Sequence, residues 1–291
     1  MRTTQPNRPS ALTIAGTDPG GGAGIQADLK TFAALGVYGF SAITAVIAQN
    51  SSKVLRAMAL EPEIVAAQIE AVALERKPNA VKIGALGTAS IVKAVAKAIA
   101  EHHLAAPVID SVLISSSGAR LLSKKGEAAL VSHLIPGARV VTPNIPEAER
   151  LTGVKISKPS EAHEAARRLL KMGTRAVVIK GGHLDQTEDA IDLLYDGRSF
   201  IAMKAQRIAG DAHGTGCAFS AAIAAHLARG RDLETAVRAA KEFVTSALLA
   251  RFRFGRGRPL LDHFAGNAVT SRPNRASLMN IKADGETRKK N

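Results

Sequence analysis

The chain has 291 residues, enough for one large domain or two small ones, and its 46% hydrophobic residues can fill a sizeable core. A single cysteine excludes an intramolecular disulfide and makes a reducing, cytoplasmic setting the expectation; no apolar run approaches the ~20 residues a membrane helix needs. The net charge of +14 invites a nucleic-acid reading. Half of that excess falls in residues 251–291, and 3% aromatic residues without Trp leave few platforms for bases, so a basic enzyme fits better than a nucleic-acid binder.

In chain order, residues 1–8 are polar, carry Arg2 and Arg8 and have no apolar core of a secretory signal; they read as a flexible N-terminus. Residues 11–15 form a buried strand, and a Gly-rich loop over residues 16–24 follows. Helical spacing of Ile25, Leu29, Phe32 and Leu35 predicts a helix stopped by Gly36. Residues 38–48 read as one strand, and residues 61–74 as a helix entered through Pro62. Residues 80–84 are a short strand and 90–103 a helix, and the strand pattern returns at 107–110, 138–142 and 176–180. Strands alternating with helices of this length predict a single three-layer α/β domain over residues 9–264, with a mostly parallel central sheet covered by helices on both faces. Residues 265–291 read as a basic, disordered tail.

Ligands in such sheets bind at the carboxyl ends of the strands, where the residues rich in chemistry converge: Gly16 and Asp18, Gln49, Gly84, Asp110, Asn144 and Lys180-Gly181-Gly182-His183. The stretch Ala212-His213-Gly214-Thr215-Gly216-Cys217 precedes a run of small residues with high helix propensity. Its glycines permit a tight turn, and the open amides of a helix N-terminus make an anion site. Cys217 stands at its mouth, either as a small buried hydrophobe or as a base whose thiol the helix N-terminus lowers toward neutrality.

Several of these residues carry two readings. Residues 16–24 form neither a Walker loop nor a dinucleotide fingerprint; they are a surface turn or a rest for a polar substrate that Asp28, on the following helix, could read. Asn144 and Glu147 form a capping box at Pro146, or hold water on Mg²⁺. Lys180 neutralises a phosphate or belongs to a surface hairpin, and Asp110 at a strand end needs a partner or a function. The eight histidines show no metal-ligand spacing.

Taken together, Ala11-Leu12-Thr13-Ile14-Ala15-Gly16-Thr17-Asp18-Pro19, Gly21-Gly22-Ala23-Gly24-Ile25-Gln26-Ala27-Asp28, Ala48-Gln49-Asn50, Lys82-Ile83-Gly84, Thr142-Pro143-Asn144, Pro146-Glu147-Ala148-Glu149, Lys180-Gly181-Gly182-His183 and His213-Gly214-Thr215-Gly216-Cys217 resemble the hydroxymethylpyrimidine/phosphomethylpyrimidine kinases of thiamin biosynthesis, in the ribokinase-like superfamily. The resemblance covers nearly the whole chain up to about Phe264. It implies transfer of the ATP γ-phosphoryl group to 4-amino-5-hydroxymethyl-2-methylpyrimidine and then to its monophosphate, and a homodimer. It assigns Gln49, Ala23, Asp28, Gly16, Asp18, Gly84, Ala85 and Val112 to the substrate, and Lys180, His213 and Asn144 to the nucleotide. Asp110 and Glu147 correspond to the Mg²⁺-linked pair, and Gly214, Thr215, Gly216 and Cys217 to the catalytic anion hole.

The chain departs from the family pattern at Ala85, where Met is usual, and at Ser111 and Leu113 within a stretch that usually reads Asp-Pro-Val-Met. Gly20 also replaces the usual Ser, and Asp211-Ala212 the usual polar/Thr pair before His213. A Met-to-Ala exchange vacates volume against the substrate. A paralogous kinase of pyridoxal or another heteroaryl alcohol is therefore the alternative, and a non-catalytic pyrimidine- or nucleotide-binding sensor is the alternative of another class.

Overall fold

Period-two alternation in buried parallel strands decides which side chains meet which helices. The computed structural model describes residues 8–115, 118–181, 189–210 and 212–265; the expectations for residues 1–7, Gly182, His183 and residues 266–291 fall outside them. The strands among these residues are β1 (Ser10–Ala15), β2 (Tyr38–Ile43), β3 (Ala45–Gln49), β4 (Val54–Ala59), β5 (Ala80–Ile83), β6 (Val108–Ile109), β7 (Val140–Val141), β8 (Val177–Ile179), β9 (Asp189–Tyr195) and β10 (Phe200–Gln206). The helices are α1 (Gly24–Ala34), α2 (Pro62–Glu75), α3 (Ala89–Glu101), α4 (Lys124–Ala129), α5 (Ile145–Thr152), α6 (Pro159–Lys171), α7 (Thr215–Ala228) and α8 (Leu233–Leu249). The helix α4 runs on into a π-helical turn at Leu130–Leu134.

Eight strands make one sheet in the order β10-β9-β8-β7-β6-β5-β1-β2. Neighbours from β2 across to β8 pair in parallel, whereas β9 and β10 add an antiparallel edge. One face buries Leu12, Ile14, Val81, Ile83, Ile109, Val141 and Val177 against side chains of α2 to α6. The opposite face buries Ala11, Ala80, Val108, Val140 and Val178 against α1, α7 and α8. The three-layer expectation is met.

The alternation has a consequence for chemistry. Lys82, Asp110 and Lys180 each lie two residues beyond a residue of the second face (Ala80, Val108 and Val178), so all three project toward α7. In α7 the positions Ala218, Ala221, Ala222, Ala224 and Ala225 are fully buried. Small side chains let this helix lie close against the sheet.

Two expectations are corrected. Residues 38–48 are two strands rather than one, because the chain turns at the fully buried Thr44. Its N–H donates to Ala15 O at 3.0 Å and its hydroxyl to Ala85 O at 2.7 Å, while Leu60 N–H donates to Thr44 O. These bonds direct β3 off the main sheet to pair antiparallel with β4. The edge hairpin β9–β10 likewise interrupts the alternation of strand and helix read from the sequence.

Candidate active site

The N-terminus of α7 is built from glycine. Gly214 caps it at φ 89°, and a Cβ there would overlap the Gly22 carbonyl, so only glycine lets the two loops meet. No side chain caps this end, and the first intrahelical bond runs from Ala218 N–H to Gly214 O at 2.9 Å. The preceding amides of Thr215, Gly216 and Cys217 therefore lie ahead of the intrahelical ladder at the positive end of the helix dipole. The Thr215 hydroxyl donates to Ala212 O at 2.9 Å and steadies the turn.

Beside this end lies a buried ion pair. Lys180 Nζ is 2.8 Å from Asp110 Oδ1. A Cβ on Gly216 would stand 3.2 Å from Lys180 Nζ and 3.7 Å from Asp110 Oδ2, so the pair borders the anion hole directly. Lys180 follows β8, which pairs antiparallel with β9, but its side chain turns inward to Asp110. Burial alone would push its pKa down, but Asp110 and Glu147 outweigh that and hold it above the usual lysine range. Burial would likewise push the Asp110 carboxyl up, yet Lys180 and Lys82 hold it below the usual range.

Glu147 and Asn144 form the capping box of α5, with Asn144 N–H donating to Glu147 Oε2 and Glu147 N–H to Asn144 Oδ1, each at 2.9 Å. Asn144 also bridges Lys180 in the parallel ladder, where the Lys180 N–H donates to Pro143 O at 2.9 Å. Its side-chain oxygen is committed to the cap. Burial, together with the charge of Asp110, raises the Glu147 pKa to about 7 against the pull of Lys180. Both readings of this motif are thus compatible: the box places a carboxylate within electrostatic range of Asp110 and Lys180.

On the other side of Gly214 lies the Gly-rich loop. Asp18 is fully buried, and its carboxylate accepts from the amides of Gly20 (3.0 Å), Gly22 (3.1 Å) and Ala23 (2.7 Å) and pairs with His213 Nε2 at 3.0 Å. These donors hold its pKa below the usual range although burial opposes them. Asp18 thereby organises the loop, and His213 clamps it, with its Cδ2 2.7 Å from where a Cβ on Gly22 would stand.

Asp28 is fully buried, with Oδ2 accepting from the Thr13 hydroxyl at 2.5 Å and from Lys82 Nζ at 2.8 Å; Oδ1 has no partner among the described residues. The sequence reading passed over Lys82. The signal was present: a lysine inside a fully buried strand must find a counter-charge. Burial works against its ammonium, but Asp28, Cys217 and Asp110 together raise its pKa.

The thiol of Cys217 departs from expectation. Burial pushes its pKa up to about 12, with Asp110 and Asp28 adding to the rise and Lys82 and the Gly24 amide opposing it. The helix N-terminus does not bring it toward neutrality, because desolvation and two carboxylates dominate.

The strand ends close the site. A Cβ on Gly84 would meet Ala15 Cβ and Lys82 Nζ at 2.9 Å, and one on Gly16 would meet Ile47 Cδ1 at 2.9 Å, so β1, β3 and β5 converge on glycines. Ala23, Ala85, Val112 and Gln49 are half-buried nearby. Ser111 is buried, and its hydroxyl lacks a partner among the described residues.

Comparison with known proteins agrees with this arrangement. The family model for phosphomethylpyrimidine kinase matches residues 18–262. The hydroxymethylpyrimidine/phosphomethylpyrimidine kinase of Haemophilus influenzae is 45% identical over 263 residues, covering 89% of this chain and 98% of that protein. The thiamine biosynthesis bifunctional protein ThiED of Geobacter sulfurreducens is 44% identical over 257 residues; the match covers 88% of this chain and spans about half, 52%, of that protein. Among solved structures, an ADP complex of Bacillus subtilis pyridoxal kinase superposes with a TM-score of 0.83 at 36% identity, covering 90% of this chain and 100% of that one. With this similarity along nearly the whole chain, the protein belongs to the phosphomethylpyrimidine kinase family.

Proposed function

We propose that the site transfers the γ-phosphoryl group of ATP to the hydroxymethyl oxygen of 4-amino-5-hydroxymethyl-2-methylpyrimidine and then to a phosphate oxygen of the resulting monophosphate. The observation that carries this reading is the placement of Lys180 and Asp110 against Gly216 at the open end of α7. Phosphoryl transfer through a loose transition state needs positioning and charge neutralisation more than covalent participation. The amides of residues 215–217 and the Lys180 ammonium would neutralise charge on the transferred group. Lys180 would act as a point charge whose own place is fixed by Asp110.

Two buried carboxylates, Asp110 and Glu147, face this charge cluster, and among the described residues no group of three or more potential ligands is gathered. That donor set suits Mg²⁺, which takes one or two carboxylates and completes its shell with water and phosphate. Asp110 and Glu147 would hold it, and when bound it supplies charge neutralisation at the phosphates. Cys217 stands in the first turn of α7 as a thiol whose pKa is pushed up to about 12, so it would donate a hydrogen bond to the transferred group while the hydroxyl proton passes to a phosphate oxygen. The Oδ1 of Asp28, without a partner among the described residues, and the half-buried Gln49 amide would bind the amino-pyrimidine ring.

A second reading, phosphorylation of pyridoxal, is favoured by Ala85, which leaves space where the family has Met. Mg-ATP turnover on a panel of hydroxymethylpyrimidine, its monophosphate, pyridoxal and pyridoxine decides between them. ADP release with the pyrimidines supports the first reading; release with pyridoxal alone supports the second, and no release overturns both.

A homodimer is also proposed. Leu55 and Met58 on β4 are 64% and 60% exposed, and Val46 on β3 is 47% exposed, an apolar surface that a second copy would cover. Light scattering coupled to gel filtration tests it, with a monomer as the contrary result.

A further inference from the structure

Between Glu242 and Asp262 the chain contains no acidic residue but carries Arg251, Arg253, Arg256 and Arg258. This segment folds back on itself: Phe252 N–H donates to Leu260 O at 3.1 Å and Leu260 N–H to Phe252 O at 2.8 Å. Edge-to-face packing of Phe252 on Phe254 at 5.1 Å stiffens the turn, and Arg251 anchors its base through Leu248 O at 2.9 Å and Ala209 O at 2.8 Å.

Its position is informative. Leu260 bridges His213, and its Cδ2 lies 2.7 Å from where a Cβ on Gly22 would stand, so the turn leans on the Gly-rich loop. Arg258 N–H donates to the Ser51 hydroxyl at 2.9 Å, two residues past Gln49. The turn therefore seals the gap between the Gly-rich loop and the β3–β4 hairpin. Arg253 and Arg256 are exposed on it, and among the described residues neither is in an ion pair. Lys53 and Arg56 of the hairpin are exposed as well and add positive charge from the facing side.

We propose that Arg253 and Arg256 form a cationic rim at the mouth of the substrate pocket that selects the phosphorylated substrate over the neutral alcohol. The inference rests on the kinase reading given above. A phosphate monoester carries about −1.5 to −2 charges at neutral pH, whereas hydroxymethylpyrimidine carries none. Surface charge of one sign around a cleft speeds encounter with the oppositely charged ligand, and salt screens the effect. The rim acts on capture and leaves the chemical step to the buried Lys180–Asp110 end.

The test compares the wild type with R253S/R256S, both exposed positions whose replacement should leave the melting temperature unchanged. At low salt, kcat/KM for the monophosphate should fall by about 3- to 10-fold, a modest share of the range seen for electrostatic steering. The values for hydroxymethylpyrimidine and the KM for Mg-ATP should hold, and the difference should vanish at high salt. Equal losses on both pyrimidines, no loss on the monophosphate, or a rise confined to the ATP KM would each overturn the rim. Equilibrium titration of the monophosphate and of the alcohol without nucleotide separates the two questions. Weaker monophosphate binding in the variant supports the rim even where turnover fails, and unchanged binding overturns it.

Discussion

Lys180 Nζ and Asp110 Oδ1 are 2.8 Å apart although 70 residues separate them in the chain. Asp110 is 3% exposed and Lys180 17%, so the carboxylate is the buried anchor and the ammonium its arm toward the anion hole. Replacing Lys180 by Ala removes the cation and leaves Asp110 uncompensated. Turnover should fall by roughly 10²- to 10³-fold, the loss typical of removing one group that stabilises transition-state charge. Steady-state kcat measures it, and a near-wild-type value would show that the pair is structural only.

Cys217→Ala should lower kcat while leaving the nucleotide dissociation constant unchanged, as expected of a first-turn group of α7 that acts on the transferred phosphoryl group. A thiol pushed up to about 12 is rarely ionised at neutral pH, so it would act as a hydrogen-bond donor and not as a base, and the loss should be roughly 10-fold, about the worth of one hydrogen bond. For the same reason iodoacetamide should label the free enzyme slowly at pH 7.5. Rapid labelling of this half-buried residue would contradict the raised pKa, and unchanged kcat in the variant would make the thiol mere packing.

The Lys82–Asp28 pair is wholly buried. Lys82→Met alone leaves a desolvated carboxylate and should cost about 3–5 kcal/mol of stability. The double variant Lys82→Met/Asp28→Leu, which removes both charges, should recover most of it. Urea denaturation of the two proteins checks the difference, and equal stability would show that the pair is not coupled.

Two buried histidines set the acid limit of the fold. His226 and His263 each bury a ring nitrogen without a partner, and burial first, then nearby Arg231 or Lys30, lowers their pKa from 6.5 to about 4. The folded state thus binds fewer protons than the unfolded chain between these values. Their contribution to stability is complete above pH 6.5 and declines as pH falls toward 4. His226→Leu should flatten the fall of melting temperature over this interval; a profile that falls as steeply as the wild type would refute the assignment.

Ala85→Met restores bulk beside Gly84. If the pocket is loosened for the same pyrimidine, the KM for hydroxymethylpyrimidine should fall several-fold with kcat retained. Lost pyrimidine turnover would instead indicate a bulkier natural substrate, and the substrate panel with pyridoxal would then identify it.

Strand ends rich in Gly, Asp and Lys, glycine-rich turns and the small-residue run after Gly216 were legible in the sequence because each is a local pattern of period or propensity. They were enough to indicate a three-layer fold with an anion hole. The bend at Thr44 was not legible, since it depends on bonds to Ala15, Leu60 and Ala85 supplied by other segments. Nor were the loop-building role of Asp18 and the clamp by His213, which close across 195 residues.

What the sequence alone determined is the inventory: which residues stand at the ends of buried strands, and which turns must be glycine for the backbone to reach a positive φ. Only the tertiary structure decided who meets whom. Strand order places β5, β6, β7 and β8 side by side, and period-two alternation then turns Lys82, Asp110 and Lys180 toward one helix end. Burial and neighbouring charges from distant segments push the Cys217 thiol up at that end. Burial and long-range Coulomb terms are properties of assembled space, and no local pattern in the chain encodes them.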